Sequence, residues 1–161
     1  MPTPTYDLIA SNVLGSSATS VTFSAISGSY RDLVLVFDGS FTSSGAFYIR
    51  VNSDSGSNYF AVRMSGDGST TESASFASSS AGIIGNAGST TRVMAQLQLL
   101  DYSSTDKHKS YLSRSSDSAT RVAAFAGRWA STSAITSIQI GSFFFGNFQT
   151  GSSFYLYGIV S

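Results

Sequence analysis

Arg92-Val93-Met94-Ala95-Gln96-Leu97-Gln98-Leu99-Leu100 sets Val93, Ala95, Leu97 and Leu99 on one side of an extended chain and Met94, Gln96 and Gln98 on the other. Side chains alternate across a strand with a period of two, so this is a strand with one buried face. The same reading extends outward in both directions. Leu33-Val34-Leu35-Val36-Phe37 is a continuous apolar run, which predicts a central strand covered on both faces. Val21, Phe23 and Ala25 alternate with Thr22 and Ser24, and Phe47, Ile49 and Val51 alternate with Tyr48, Arg50 and Asn52. These patterns place strands over 21–26 and 47–52, with others over 6–13, 58–64, 122–129, 134–140 and 154–160. The segment 107–114 reads as a short, more exposed strand. The stretch 69–88, mostly small residues with a single charge, reads as a long loop or a short edge strand.

The linkers are built from turn residues, as in Ser53-Asp54-Ser55-Gly56-Ser57 and Ser65-Gly66-Asp67-Gly68. No window holds apolar residues at i, i+3, i+4 and i+7, so little or no helix is expected. The prediction is an all-β, two-sheet antiparallel sandwich, jelly-roll-like, with about nine or ten short strands. It forms one domain over 1–161, with 1–5 as a short N-terminal arm.

Charged residues make up only 11% of the chain, against about 25% in an average domain. Nine basic and nine acidic residues cancel, and the basic ones are scattered. Phosphate binding needs clustered Lys and Arg, so no nucleic-acid partner is expected. No apolar run approaches the ~20 residues that cross a bilayer, so no membrane partner is expected either. The absence of cysteine excludes disulfides and thiolate metal sites. A hydroxyl-rich surface near zero net charge provides little colloidal repulsion, which favours assembly.

Residues that do chemistry are scarce: one histidine, His108, and one glutamate, Glu72. Asp106 and His108 could share a strand face near Ser110, yet there is no G-x-S-x-G elbow to present a nucleophile. Asp54, Asp67 and Glu72 lack the ligand spacing of a calcium loop and sit where hairpin turns want Asp and Asn. No catalytic residue, metal ion or cofactor is therefore predicted. Tyr30, Tyr48, Tyr59, Tyr102, Tyr111 and Trp129 either fill the core or stack on sugars. Phe143-Phe144-Phe145-Gly146-Asn147-Phe148 differs, because three adjacent extended Phe cannot all face one interior. Phe143, Phe144, Phe145 and Phe148 are accordingly expected at a subunit or capsid contact, with Pro2 and Pro4 in an arm that reaches a neighbour.

Several segments in order, Tyr6-Asp7-Leu8-Ile9-Ala10-Ser11, Tyr30-Arg31-Asp32-Leu33-Val34-Leu35-Val36, Arg50-Val51-Asn52 and Gly151-Ser152-Ser153-Phe154-Tyr155-Leu156-Tyr157-Gly158-Ile159, carry a resemblance. Together they are similar to a family of small virion structural proteins of tailed bacteriophages, notably phages of cyanobacteria. The likeness covers about half the chain and is weaker over 70–92 and 141–150. It implies a non-enzymatic particle component, without deciding between capsid shell and tail. The expected role is a capsid decoration or cement protein on the outer surface of the virion, made in the host cytoplasm. Its partners would be the major capsid protein and two further copies in a homotrimer. The alternative is a tail or fibre-tip protein that binds host surface glycan; a glycan-degrading enzyme ranks third.

Overall fold

A computed structural model describes residues 4–87, 91–143 and 146–160. They form twelve strands: β1 (Tyr6–Val13), β2 (Ser20–Phe23), β3 (Asp32–Ser40), β4 (Gly45–Val51), β5 (Tyr59–Gly66), β6 (Thr71–Ser79), β7 (Gly82–Ala87), β8 (Arg92–Leu99), β9 (Lys109–Asp117), β10 (Val122–Trp129), β11 (Ile138–Ser142) and β12 (Ser153–Ile159). All neighbours pair antiparallel. One sheet has the order β1-β12-β3-β8-β9-β10-β5-β6, the other β2-β11-β4-β7.

The order resolves into a jelly roll with two additions. Strands β1-β12-β3-β8 and β2-β11-β4-β7 are the two four-stranded sheets that a pair of interleaved Greek keys produces. Hairpin β5-β6 is inserted between β4 and β7, hairpin β9-β10 between β8 and β11. Both hairpins zip onto the open side of β8 and widen that sheet to eight strands. The all-β sandwich expected from the alternation is present.

The departures from the sequence reading have local causes. The stretch read as loop or short edge strand holds two strands, nine-residue β6 and six-residue β7. Strand β6 is an edge whose alternation is invisible because mostly Ala, Ser and one Phe face inward; pairing with β5 makes it a strand. Strand β9 is a nine-residue interior strand of the large sheet, with Lys109, Tyr111, Ser113 and Ser115 buried and Leu112 exposed. Its polar residues face the core, so hydropathy inverted the reading. Lys109 is 0% exposed, and its ammonium donates to the carbonyls of Lys107 (2.8 Å) and Thr132 (3.2 Å). Burial pulls the Lys109 pKa down. Strand β2 stops at Phe23, and Ala25 beyond it takes φ of 54°. Strand β11 begins only at Ile138, because Asn52 Oδ1 accepts from the backbone of Thr136 (2.8 Å) and Ser137 (3.2 Å) and holds the preceding segment out of the sheet.

Between the sheets lies a phenylalanine cluster. Phe37 meets Phe41, Phe47, Phe148 and Phe154 at ring centroid distances of 5.6, 5.5, 5.4 and 5.0 Å. Near the other end Tyr111 lies across Gly127, its cross-strand partner. A Cβ on Gly127 would fall 2.0 Å from Tyr111 Cζ, and Gly82 closes the ring in, since a Cβ there would lie 2.8 Å from the hydroxyl. Gly127→Ala is therefore expected to cost about 1–3 kcal/mol by overpacking. Chemical denaturation checks this, and a variant as stable as the parent contradicts the wedged ring.

Candidate functional site

Cross-strand register assigns each residue of the large sheet to a face. Leu33, Leu35 and Phe37 of β3 point toward the four-stranded sheet, with Ala95, Leu97 and Leu99 of β8 opposite them. Their neighbours point outward: Val34, Val36 and Asp38 on β3, Met94, Gln96 and Gln98 on β8, Leu112, Arg114 and Ser116 on β9. Val122, Ala124 and Ala126 on β10 continue that row across to Gly66, Met64 and Val62 on β5. At the opposite end Tyr6, Leu8 and Val13 of β1 lie against Ile159, Tyr157 and Ser153 of β12.

No second layer covers this outer face among the described residues, and between its polar side chains it carries most of their exposed large apolar ones. Nine large apolar side chains of the described residues are exposed, and eight of them, Tyr6, Leu8, Val13, Val62, Met64, Met94, Leu112 and Val122, stand on it. The ninth, Leu100, lies one residue beyond β8. Met64 is 65% exposed and Met94 58%. Singly exposed apolar residues are ordinary on a protein surface, but contiguous ones mark contact sites.

The face is hollowed over its wider part. A trough of about 1,110 Å³ runs across β3, β8, β9, β10, β5 and β6, lined by Val36, Met64, Met94, Val122, Gln96 and Arg114 among others. Beyond the trough, on β1 and β12, stand Tyr6, Leu8 and Val13 with the stacked rings of Tyr155 and Tyr157, 6.5 Å apart.

The charged groups described on this face have partners there, but only Arg92 and Asp38 form a pair of opposite charges. Arg92 forms a two-pronged pair with Asp38 (2.7 and 2.9 Å), Arg114 Nε donates to Gln96 (3.2 Å), and Arg128 lies 4.7 Å from the Phe60 ring centroid. Asp32 accepts from Gln98 (3.2 Å) and from the Asp101 amide (2.9 Å).

The residues singled out by sequence go elsewhere. Phe148 is 0% exposed and lies in the phenylalanine cluster, which corrects its expected place at a subunit contact. Its position follows from backbone bonds with Ala18 in both directions (2.8 and 3.1 Å), which turn the ring inward. Phe143 is half-buried against Tyr48, ring centroids 4.4 Å apart, over the outer side of the small sheet. Pro4 is exposed, and the next residue, Thr5, is tied to the body where its carbonyl accepts from the Val160 amide (3.1 Å). Pro2, Phe144 and Phe145 lie outside the described residues.

Tyr59, Tyr102, Tyr111 and Trp129 are buried, so none offers a sugar a stacking platform. His108 is exposed and makes no hydrogen bond among the described residues. The acids are engaged separately. Asp54 accepts from Trp129 and Asn58, Asp67 caps the turn at Ser69 and Thr70, and Glu72 pairs with Arg63 (2.9 Å) and Arg121 (3.6 Å). No group of three or more metal-ligating side chains occurs among the described residues.

No protein-family model matches this chain, and no curated protein does. Among solved structures it is similar to the Caenorhabditis elegans galectin LEC-6, at 11% identity over 98% of this chain and 96% of that one, with a TM-score of 0.37. It is also similar to the marine PL-14 alginate lyase from Aplysia kurodai, at 10% identity over 94% of this chain and 81% of that one, TM-score 0.42. A third is the Tobacco streak virus coat protein dimer, at 9% identity over 100% and 91%, TM-score 0.24. All three scores are below 0.5, and the fold rests on the strand pairing described above.

Proposed function

We propose that this chain is a structural protein of a bacteriophage particle, a decoration or cement protein that binds the outer shell of the head and stabilises it through contact area. The observation that carries this reading is the convergence of the exposed large apolar residues on one face of one sheet. Such a face stabilises by being covered, and its Met and Val side chains suit an apolar protein surface. The carboxylates engaged by their own neighbours fit a role that needs no reactive group. The resemblance to small virion proteins of tailed phages supplies the particle.

Particles assembled without the protein are expected to release their DNA at a lower temperature than complete ones, with adsorption to the host unchanged. Dye access to packaged DNA during a heating ramp measures the first, and a plaque-adsorption assay the second. Lost adsorption with sound heads would transfer the protein to the tail, overturning the cement role.

A further inference from the structure

We propose that β6 pairs antiparallel with β6 of a second copy, about a twofold axis that passes through Ser75 and joins the two large sheets edge to edge. This pairing goes beyond the shell-binding role and leaves the outer face of the sheet free for it.

Strand β6 ends the order of the large sheet, and among the described residues only β5 pairs with it. An open edge presents a row of N–H and C=O groups that another strand can take up, and edges that resist this are short, bulged or charged. The other three edges have such features. β1 shifts register between Leu8 and Ala10, near its middle; β2 has four residues; β7 shifts register between Ile83 and Gly85. β6 has nine residues, and from Ser73 onward it holds neither charge nor proline. Its single charge, Glu72, is already paired with Arg63 at 2.9 Å. Its irregular end, where Ser78 takes φ of 52°, comes after Phe76.

The residues of this edge select its occupant. The N-terminal arm of a neighbour, with Pro2 and Pro4, lacks two of the amides that a ladder needs. A neighbour's β1 would meet β6 with a broken register. β6 fits itself. With Ser75 opposite its own mate, Ala74 of each copy stands opposite Phe76 of the other on the sandwich side, so each ring covers a small residue. Ser73 stands opposite Ala77, and no like charges oppose each other. A ladder centred on Ala74 would set Glu72 against Phe76, and one centred on Phe76 would run onto Ser78. The contact is repeated in reverse about the axis, as an isologous interface requires. An axis normal to the sheet also keeps both outer faces on one side, so Val62 and Met64 of the two copies lie on one continuous surface.

The chain has no cysteine, so a single introduced thiol reports one distance. Ser75→Cys is expected to join two chains by a disulfide under mild oxidation, because residues directly opposite in an antiparallel pair have Cα atoms ~4.5–5.5 Å apart, within disulfide reach. Thr71→Cys, exposed on the same strand, would lie about eight residues, or ~27 Å, from its mate and is expected to link at least about tenfold more slowly. Non-reducing electrophoresis measures both rates. In sedimentation velocity at tens of micromolar the parent chain is expected at about twice its 16.9 kDa mass. Ser75→Lys and Ser75→Glu each oppose like charges and are expected to weaken pairing about fivefold. Mixed in equal amounts they are expected to pair again, Lys opposite Glu, which also shows that both variants fold. A parent chain that runs as a monomer or a trimer, or equal linking rates at the two Cys positions, overturns the pairing. A monomer that still stabilises heads would overturn the pairing and spare the shell-binding role; a β6-linked dimer that never joins heads would do the reverse.

Discussion

Phe148→Ala is expected to lower the unfolding free energy by about 3–5 kcal/mol, the cost of truncating a fully buried phenylalanine whose surroundings cannot close in. The surroundings are rigid for a specific reason. The Phe148 ring meets Phe41 at 4.9 Å, Phe154 at 5.0 Å edge-on, and Phe37 at 5.4 Å. Phe41 and Phe154 come from separate segments, so no single side-chain rotation fills the space. The Phe148 backbone also bridges Ala18 and Phe41, joining the segment before β12 to both the β1–β2 connection and the end of β3. Urea denaturation measures the loss. Phe143→Ala, on the outside, is expected to cost under about 1 kcal/mol. Equal, small losses for both variants would return Phe148 to the surface.

Asp54→Ala is expected to cost about 2–4 kcal/mol, from charged hydrogen bonds lost and a buried donor left without an acceptor. One Asp54 oxygen accepts from the Trp129 indole (2.6 Å) and from Asn58 (2.9 Å), the other from the Gly56 amide (2.8 Å). The carboxylate thereby fixes the β4–β5 turn and ties it to the end of β10. Trp129 is 4% exposed, so water cannot replace the lost acceptor freely. Burial pushes the Asp54 pKa up, but the bonds from Trp129, Asn58 and Gly56 outweigh it and hold the carboxyl below its ordinary value. A carboxyl lowered in the fold stabilises above its unfolded pKa of ~3.9 and loses that contribution as the pH falls through the folded value. The parent should therefore lose stability below about pH 4, and the Ala variant should lose less over the same range. Denaturation at pH 7 and in acid checks this; equal acid losses would show that Asp54 is not a source. Asp67 works in the same direction, held well below the ordinary range by the backbone amides of Thr70 and Ser69.

Where apolar and polar residues alternate and the apolar set faces inward, the strands were legible from the chain alone. Strands β1, β8 and β10 fall within a residue of the expected spans. Legibility failed where burial and polarity part company. In β9 the core positions are Lys109, Tyr111, Ser113 and Ser115, so an interior strand reads as an exposed one. In β6 pairing rather than side-chain burial makes the strand, and hydropathy does not register pairing.

The exposed apolar residues stayed hidden for a related reason. Leu112, Met94, Val122 and Met64 belong to four strands, and only the register across β8, β9, β10 and β5 brings them onto one surface. A signal was present in β5 and β10, where Val62, Met64 and Val122 are apolar on the side away from the core. The aromatic run over 143–148 drew attention instead by its density. Backbone bonds at Phe148 and the Tyr48 contact of Phe143 then direct those two side chains inward and flat against the surface.

Immunogold labelling of intact phage particles, with an antibody against this chain, places the protein most directly. Gold distributed over the outer surface of the head is the expected image. Unlabelled particles, or gold confined to the tail, would contradict a protein whose exposed apolar sheet serves to bind and stabilise a capsid.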